Sequence, residues 1–459
     1  MSDEFDVVVL GGGPGGYATA LRAAQLDLTV AMVEKDKVGG TCLHRGCIPT
    51  KALLHAGEIA DAARQAAQFG IQAELTGVDM AGVNAYKDGV VSKMYKGLQG
   101  LLKAAGKITV VEGEGRMVAP TGVEVGGRTL TGRKLVLATG SYSRTLPGLA
   151  VDGERVITSE QALRLDRVPG SVVVLGGGVI GAEFASAWRS LGAEVTIVEA
   201  LPRLLATEDE DSSKQVERGF RRRGITAKVN QAFEQLELTD GGVRVTVAGG
   251  ETIEAELLLV AVGRGPATAG LGYEEQGLAL DRGFVPTDER LRTNLPDVYA
   301  IGDIVPGPQL AHRGFQQGIF VAEEIAGRNP PAIDEDGIPR VTYCEPEVAS
   351  VGLTEARAKE QYGAEKVSTY TYNLAGNGKS TILKTQGFAK LVRVEEGPVV
   401  GLHLVGSRVS ELVSEAQLIY NWEAFPIDVA QLVHMHPTQG EAIGEAHLAL
   451  AGKPLHAHD

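Results

Sequence analysis

Cys42 and Cys47 stand in GGTCLHRGCIPTK, residues 39–51, with four residues between them, and the 459-residue chain holds only three cysteines in all. Two thiols this close can close a structural disulfide, hold a metal, or cycle between dithiol and disulfide. Zinc needs further Cys or His ligands at short spacing, and although His44 lies between the cysteines no second cluster completes a site. Three cysteines are also too few for a disulfide scaffold. Pro49 suits the first turn of a helix, which puts Cys47 near a helix N-terminus. The macrodipole there favours thiolate over thiol, so the pair reads best as redox-active.

Thiol–disulfide exchange needs a proton shuttle, because one sulfur attacks as thiolate while another leaves and is protonated. Of the nine histidines, His44 and His55 are near the pair in sequence. A sharper candidate is His436 in HMHPTQGE, residues 434–441, where Pro437 fixes the chain and Glu441 stands ready to orient an imidazole. On the residues alone, surface histidines on a C-terminal helix remain the more ordinary reading.

The elements that must position these groups announce themselves twice. Residues 5–10 read as a buried strand, followed by Gly11, Gly12, Gly13, Pro14, Gly15 and Gly16, a small-residue helix over 17–24 and a strand over 29–33 ending in Glu34. The grammar returns with a strand over 171–175, then Gly176, Gly177, Gly178, Val179, Ile180 and Gly181, a helix over 182–191, and a strand over 194–198 ending in Glu199. With 60 glycines a bare G-x-G-x-x-G match means little. Here both follow a strand, open a helix and have an acid 23 residues after their first glycine (11 to 34, 176 to 199). Such glycines allow close backbone approach, the helix N-terminus attracts a pyrophosphate, and the carboxylate accepts from ribose hydroxyls. Glu199 would repel a 2′-phosphate, so NAD is expected over NADP, with Arg203 reading as a solvated loop charge. Two dinucleotides in one chain imply an electron path, with a flavin held by the first unit and a nicotinamide visiting the second.

Around these units, residues 84–105 read as helical and 107–137 as short antiparallel strands, ending in a buried strand that turns at Thr139 and Gly140. Residues 257–264 echo that strand and turn at Gly263, and 298–303 repeat it at Asp303. The texture changes to mixed strands and helices, including one over 411–420, from about residue 338. The expected class is α/β: two Rossmann-like dinucleotide-binding domains and a C-terminal α+β domain. The expected boundaries are 1–148, 149–268, a return to the first domain over 269–337, and 338–459. A formal charge of −14 offers no basic stripe for nucleic acid. No apolar run reaches membrane-spanning length, and the acidic N-terminus is unlike a signal peptide, so a soluble cytoplasmic chain is expected.

Taken together, GGGPGG with Glu34, GGTCLHRGCIPTK, GGGVIGAEFA with Glu199, AVGR, YAIGD and HMHPTQGE resemble the pyridine nucleotide–disulfide oxidoreductases, in order over essentially the whole chain. Within that family the likeness is to the flavoproteins that oxidise dihydrolipoamide for the 2-oxoacid dehydrogenase complexes. The resemblance implies FAD and NAD as cofactors, Cys42 as the sulfur that exchanges with dihydrolipoamide, and Cys47 as the sulfur in charge-transfer contact with the flavin. It makes His436 with Glu441 the acid–base pair, supplied by the second subunit of a homodimer. Lys51 is implied near the flavin N5 and paired with Glu183, Asp303 on the ribityl chain, Ala311 as a nearby backbone contact, Gly115 near the adenine and Gly263 on the nicotinamide side. Segment 338–459 is implied as the dimer-interface domain, in which Cys344 reads as a buried strand residue. The implied partners are a lipoyl domain and the E2 core of such a complex. The chain departs from the family at His44-Arg45-Gly46, where Asn-Val-Gly is commoner, and at Thr50, usually serine; the added cation is expected to lower a thiol or tune partner choice.

Overall fold

A computed structural model describes residues 3–456; Met1 and Ser2, at the head of the acidic N-terminal stretch, and residues 457–459 lie outside the described residues. The chain divides into two compact units, one of Met1–Leu53, Met80–Arg144 and Gly263–Ile333, the other of Leu54–Asp79, Thr145–Val262 and Asp334–Asp459.

In the first unit the β-branched runs form a largely parallel sheet whose central strands are buried on both faces, one against helix residues such as Ala20, Ala23 and Phe320 and the other against Met117, Val123, Tyr273 and Leu278. Ile108–Glu112, Val30–Glu34, Asp3–Leu10 and Arg128–Leu137 lie side by side and parallel, and Val298–Ala300 pairs with the last three residues of Arg128–Leu137. The start of Arg128–Leu137 pairs instead with Gly122–Val125, and that with Gly115–Ala119, both antiparallel. The antiparallel reading of residues 107–137 therefore holds only for the middle of the stretch. Ile108–Glu112 is parallel because the 25-residue helix Met80–Ala104 before it supplies the crossover that parallel pairing requires.

The second unit repeats the plan. Ile225–Lys228, Glu194–Val198, Ser171–Leu175, Leu257–Val260 and Val156–Ile157 form a five-stranded parallel sheet, with an antiparallel meander of Phe233–Thr239, Gly242–Val247 and Thr252–Ala255. From Arg340 onward the strands are antiparallel, in the order Arg340–Thr342, Glu347–Gly352, Val399–Gly406, Phe388–Val394, Val367–Asn373. The helices Val409–Asn421 and Glu441–Leu450 pack on this sheet, enclosing Val351, Leu391, Leu402 and Leu404 with Val413, Ala416 and Ile443. Cys344 is buried as expected but sits in the turn between Arg340–Thr342 and Glu347–Gly352, where its thiol donates to the Pro346 carbonyl rather than joining a ladder. The architecture is α/β with two Rossmann-like sheets and a C-terminal α+β segment. Among the described residues no helix is long and apolar enough to cross a membrane.

Candidate active site

The two glycine loops fold into the same shape. Gly11 and Gly176 each take φ +108°, and a Cβ on them would stand 2.2 Å from the Ala138 oxygen and 2.4 Å from the Ala261 oxygen. Gly16 and Gly181 let the helix lie on its own strand turn, since a Cβ there would meet the carbonyl oxygens of Gly11 and Gly176 at 1.8 and 1.9 Å. Gly13 caps the helix Pro14–Gln25 at φ −71°, ψ −171°, and Gly178 caps Val179–Leu191 at φ −75°, ψ −172°. Val179 and Ile180 open the second helix as Pro14 opens the first. The carboxylates match as well. Glu34 accepts from the Gly12 and Asp36 amides at 2.7 and 2.9 Å, and Glu199 from the Gly177 and Leu201 amides at 2.6 and 2.7 Å. Each acid is thereby held beside its loop with lone pairs to spare for a ribose.

Both cradles fit a dinucleotide: nothing lies within 4 Å of a Cβ position on Gly13 or Gly178, so the space before each helix N-terminus is open to a pyrophosphate. Arg203, which a 2′-phosphate would need, is committed to the carbonyl oxygens of Ala206 and Glu208 at 2.8 and 3.3 Å. It is therefore a loop brace rather than a solvated charge.

The cysteine loop is fastened to the first cradle. The Gly39 amide donates to the Gly12 carbonyl at 2.7 Å, and a Cβ on Gly40 would meet the Gly13 Cα at 2.8 Å. Cys42 lies in the short helix Gly40–Arg45, and Cys47 is the first residue of Cys47–Gln65, so the pair spans a helix break at Gly46. The two side chains are thiols in hydrogen-bonding contact, and that shared bond, reinforced by burial, pushes the Cys42 thiol well above its ordinary value while the Lys51 ammonium pulls it down. The helix-start argument concerns Cys47; for Cys42, in the reduced pair, the shared proton and burial outweigh the lysine. Tyr17, on the glycine helix, is pushed up to about 12 by burial and then by the charges of Cys42 and Cys47.

His44 and Arg45 brace this loop. The His44 Nε2 meets the Val38 oxygen at 3.0 Å and its ring stands edge-on to Tyr95, while Arg45 pairs with Asp36 at 2.9 Å. Asp36 in turn donates its amide to Glu34, so the residues between the cysteines are tied to the strand end that carries the ribose acid.

Around the first cradle, Thr139 donates its hydroxyl to the Ala267 carbonyl at 2.7 Å, and Gly140 turns at φ +75°. Asp303 accepts from the Ser141 hydroxyl at 2.5 Å, and that hydroxyl accepts from Arg264 Nε at 2.7 Å. Ala311 begins the helix Ala311–Ile325, which lies on Pro14–Gln25 so closely that a Cβ on Gly318 would stand 2.4 Å from the Gly15 oxygen. Gly115 has a packing reason of its own, since a Cβ would meet Leu10 and Val33 at 2.6 and 2.8 Å. Gly263 turns at φ +101°. In the second unit Glu183 is buried and accepts from the Tyr343 amide at 3.0 Å. Ser141, Arg264 and the Gly15–Gly318 crossing were not singled out in the sequence; only the Gly-x-x-x-Gly spacing of Gly314 and Gly318 hinted at a close helix pair.

His436 lies in a loop before the helix Glu441–Leu450, not on it. Its Nδ1 is 2.8 Å from Glu441 Oε1, and Glu441 Oε2 accepts from the Thr438 amide at 2.7 Å. Burial alone would raise the Glu441 carboxyl, but that amide and the imidazole together hold it below its ordinary value. A carboxylate on Nδ1 makes Nδ1 the protonated nitrogen and leaves Nε2 as the base. The His436 side chain is 78% exposed, so Nε2 is reachable from outside this unit. Three other histidines are occupied otherwise: His55 pairs with Glu58, His434 with Glu415, and His447 is wholly buried and pushed down to about 4.

Comparison with known proteins agrees with this geometry. Residues 5–318 match the model of the pyridine nucleotide-disulphide oxidoreductase family, and residues 338–447 that of the family's dimerisation domain. A dihydrolipoyl dehydrogenase of Bacillus subtilis is 40% identical over 99% of this chain and 100% of its own length, and one of Staphylococcus aureus is 40% identical over 99% and 98%. Among solved structures, LpdA of Mycobacterium tuberculosis superposes with a TM-score of 0.90 at 28% identity, covering 98% of this chain and 99% of that one. Two matched cradles, a dithiol loop hydrogen-bonded to the first, and family models spanning nearly all the described residues lead to one conclusion: the chain belongs to the pyridine nucleotide-disulphide oxidoreductase family.

Proposed function

We propose that the chain oxidises dihydrolipoamide to lipoamide and passes the electron pair to NAD⁺, with its residues dividing the work as follows. It is an FAD- and NAD-dependent flavoprotein oxidoreductase acting on a sulfur group. Residues 1–148 and 269–337 hold FAD through Gly11, Gly13, Pro14, Gly16, Glu34, Lys51, Gly115, Thr139, Gly140, Asp303 and Ala311. Residues 149–268 receive NAD through Gly176, Gly178, Val179, Ile180, Gly181, Glu183, Glu199 and Gly263.

His436 Nε2 takes a proton from one thiol of dihydrolipoamide, and the thiolate attacks Cys42 of the oxidised pair, with Cys47 leaving as thiolate. The second substrate thiol then displaces Cys42, closing the lipoamide disulfide and leaving the enzyme pair reduced by two electrons. Glu441 stabilises the imidazolium formed in the first step. Bound in the first cradle, FAD would supply the two-electron chemistry that links the reduced cysteine pair to hydride transfer onto NAD⁺. Lys51 favours thiolate at Cys42 once the shared proton is gone.

The observation that carries this reading is the Gly39–Gly12 hydrogen bond, which fixes the dithiol loop to one of two matched cradles. The exposed His436 and the exposed Val433, Met435, Leu432 and Trp422 on the same domain support a homodimer in which residues 338–459 form the interface and His436 serves the thiol pair of the other copy. The partners would be a lipoyl domain and the E2 core of a 2-oxoacid dehydrogenase complex, in the cytoplasm. The test follows NAD⁺ reduction by dihydrolipoamide beside NADPH oxidation by glutathione disulfide. Turnover confined to the first pair is expected, and turnover confined to the second would overturn the reading. Mixing inactive Cys47→Ser and His436→Gln chains and letting dimers exchange should restore activity, since one of the two sites in each mixed dimer is then intact; no recovery would place both groups in one subunit.

A further inference from the structure

His434 and Glu415 stand outside the chemistry just described, yet they hold the loop that delivers His436. His434 Nε2 is 2.8 Å from Glu415 Oε1, on the helix Val409–Asn421, and the His434 side chain is only 15% exposed. Its other edge lies on the helix Glu441–Leu450, where a Cβ on Gly444 would stand 2.5 Å from His434 Nδ1. The ring is thus wedged between the two helices that cover the C-terminal sheet, two residues before His436. Downstream, the loop is pinned by Asn377 Nδ2 on the Thr438 oxygen at 2.9 Å and by the Thr438 hydroxyl on the Met435 oxygen at 2.8 Å. Upstream, Leu432 and Val433 are exposed. His434 therefore anchors the upstream end of the loop, and Gly444 is glycine because the ring needs its space.

We propose that Glu415, His434 and Gly444 form a positioning device that sets where His436 Nε2 sits relative to the substrate thiol, a role that rests on His436 being the base. A carboxylate on Glu441 can orient the imidazole about its own axis, but it cannot hold the backbone from which the imidazole projects. That backbone is held by the His434 wedge. A loop displaced by about an ångström leaves substrate able to bind but the proton out of reach, so the loss should fall on kcat.

The test measures kcat and KM for dihydrolipoamide in the flavin-loaded enzyme, with NADH-driven flavin reduction and dimer size as controls. Glu415→Ala and Gly444→Ala should each lower kcat roughly ten- to hundredfold, with KM within about twofold and both controls unchanged. Gly444→Ala is informative because alanine favours the helix, so its effect cannot come from a weakened helix. Glu415→Gln keeps an acceptor for His434 and should retain kcat within about threefold. Normal kcat in both alanine variants would overturn the proposal, as would NADH-driven reduction falling in parallel, which marks general damage. His436→Gln separates the two levels of the argument: if it too turns over normally, the acid–base reading itself fails, whereas its inactivity beside normal Glu415→Ala and Gly444→Ala sinks the positioning device alone.

Discussion

The two dinucleotide cradles are near copies in backbone and in carboxylate contacts, yet they are fastened at opposite ends. The helix Pro14–Gln25 is clamped close to its N-terminus, where Gly318 of Ala311–Ile325 lies on Gly15 and Thr19, and the dithiol loop closes over Gly12 and Gly13. The helix Val179–Leu191 is gripped toward its C-terminus instead. There the Ser190 hydroxyl donates to Asp61, and Arg223 donates to Ser186, Ser190 and Asp61. Near-identical cradles are thus fastened differently, which fits the proposal that the first keeps its dinucleotide and the second lets its own come and go.

The widest gap between the cradles should open on breaking the first. Gly11→Val places a branched side chain at φ +108° against the Ala138 carbonyl, so the purified protein should lack flavin absorbance and all turnover, whereas flavin retained at full stoichiometry would deny that the first cradle is the resident site. Next comes the scaffold of the second. Lys390, 2% exposed, pairs with Asp209, Asp211 and Glu355 at 2.8, 2.6 and 2.7 Å, and Asp209 caps the helix Glu210–Arg222. Lys390→Ala leaves the buried Asp209 carboxylate without its cation, and denaturant melts should show a loss of about 3–5 kcal/mol in this unit with flavin still bound.

A slightly smaller effect comes from acid. His447 in the fold is pushed down to about 4 by burial, below its ordinary 6.5, so the unfolded chain takes up a proton that the folded chain refuses. Stability of the second unit should be full above about pH 6.5 and fall by roughly 3 kcal/mol as the pH drops toward 4. His447→Gln should flatten that window; an unchanged slope would mean that other groups carry it. The finest distinction is at the ribose acid: Glu199→Ala should raise the KM for NAD⁺ roughly tenfold or more, through loss of about 1.5–3 kcal/mol of charged hydrogen bonding, with flavin content unchanged.

Much of this was legible because the chemistry is local in sequence. Each cradle is a strand, a glycine run, a helix and an acid within one short stretch, so spacing together with that context located Gly11 to Glu34 and Gly176 to Glu199. The dithiol loop was legible for the same reason. The Gly39–Gly12 bond, the Ser141 bridge between Arg264 and Asp303 and the Gly15–Gly318 crossing were not, because each joins segments that meet only when the sheet is assembled. His436 shows the intermediate case: Glu441 is five residues away and readable, but the wedge that holds its loop reaches back to Glu415 on another helix. The high Cys42 thiol was not legible either, because the proton it shares with Cys47 and its burial depend on the folded loop.

Electrons from dihydrolipoamide should reach the first cradle only through the cysteine pair. Stopped-flow reduction of the bound flavin in Cys47→Ser tests it most directly, with dihydrolipoamide and NADH as alternative reductants. NADH should still reduce the flavin at the wild-type rate, and dihydrolipoamide at least a thousandfold more slowly, on the order of what loss of a covalent relay costs. Reduction by dihydrolipoamide at the wild-type rate would contradict it.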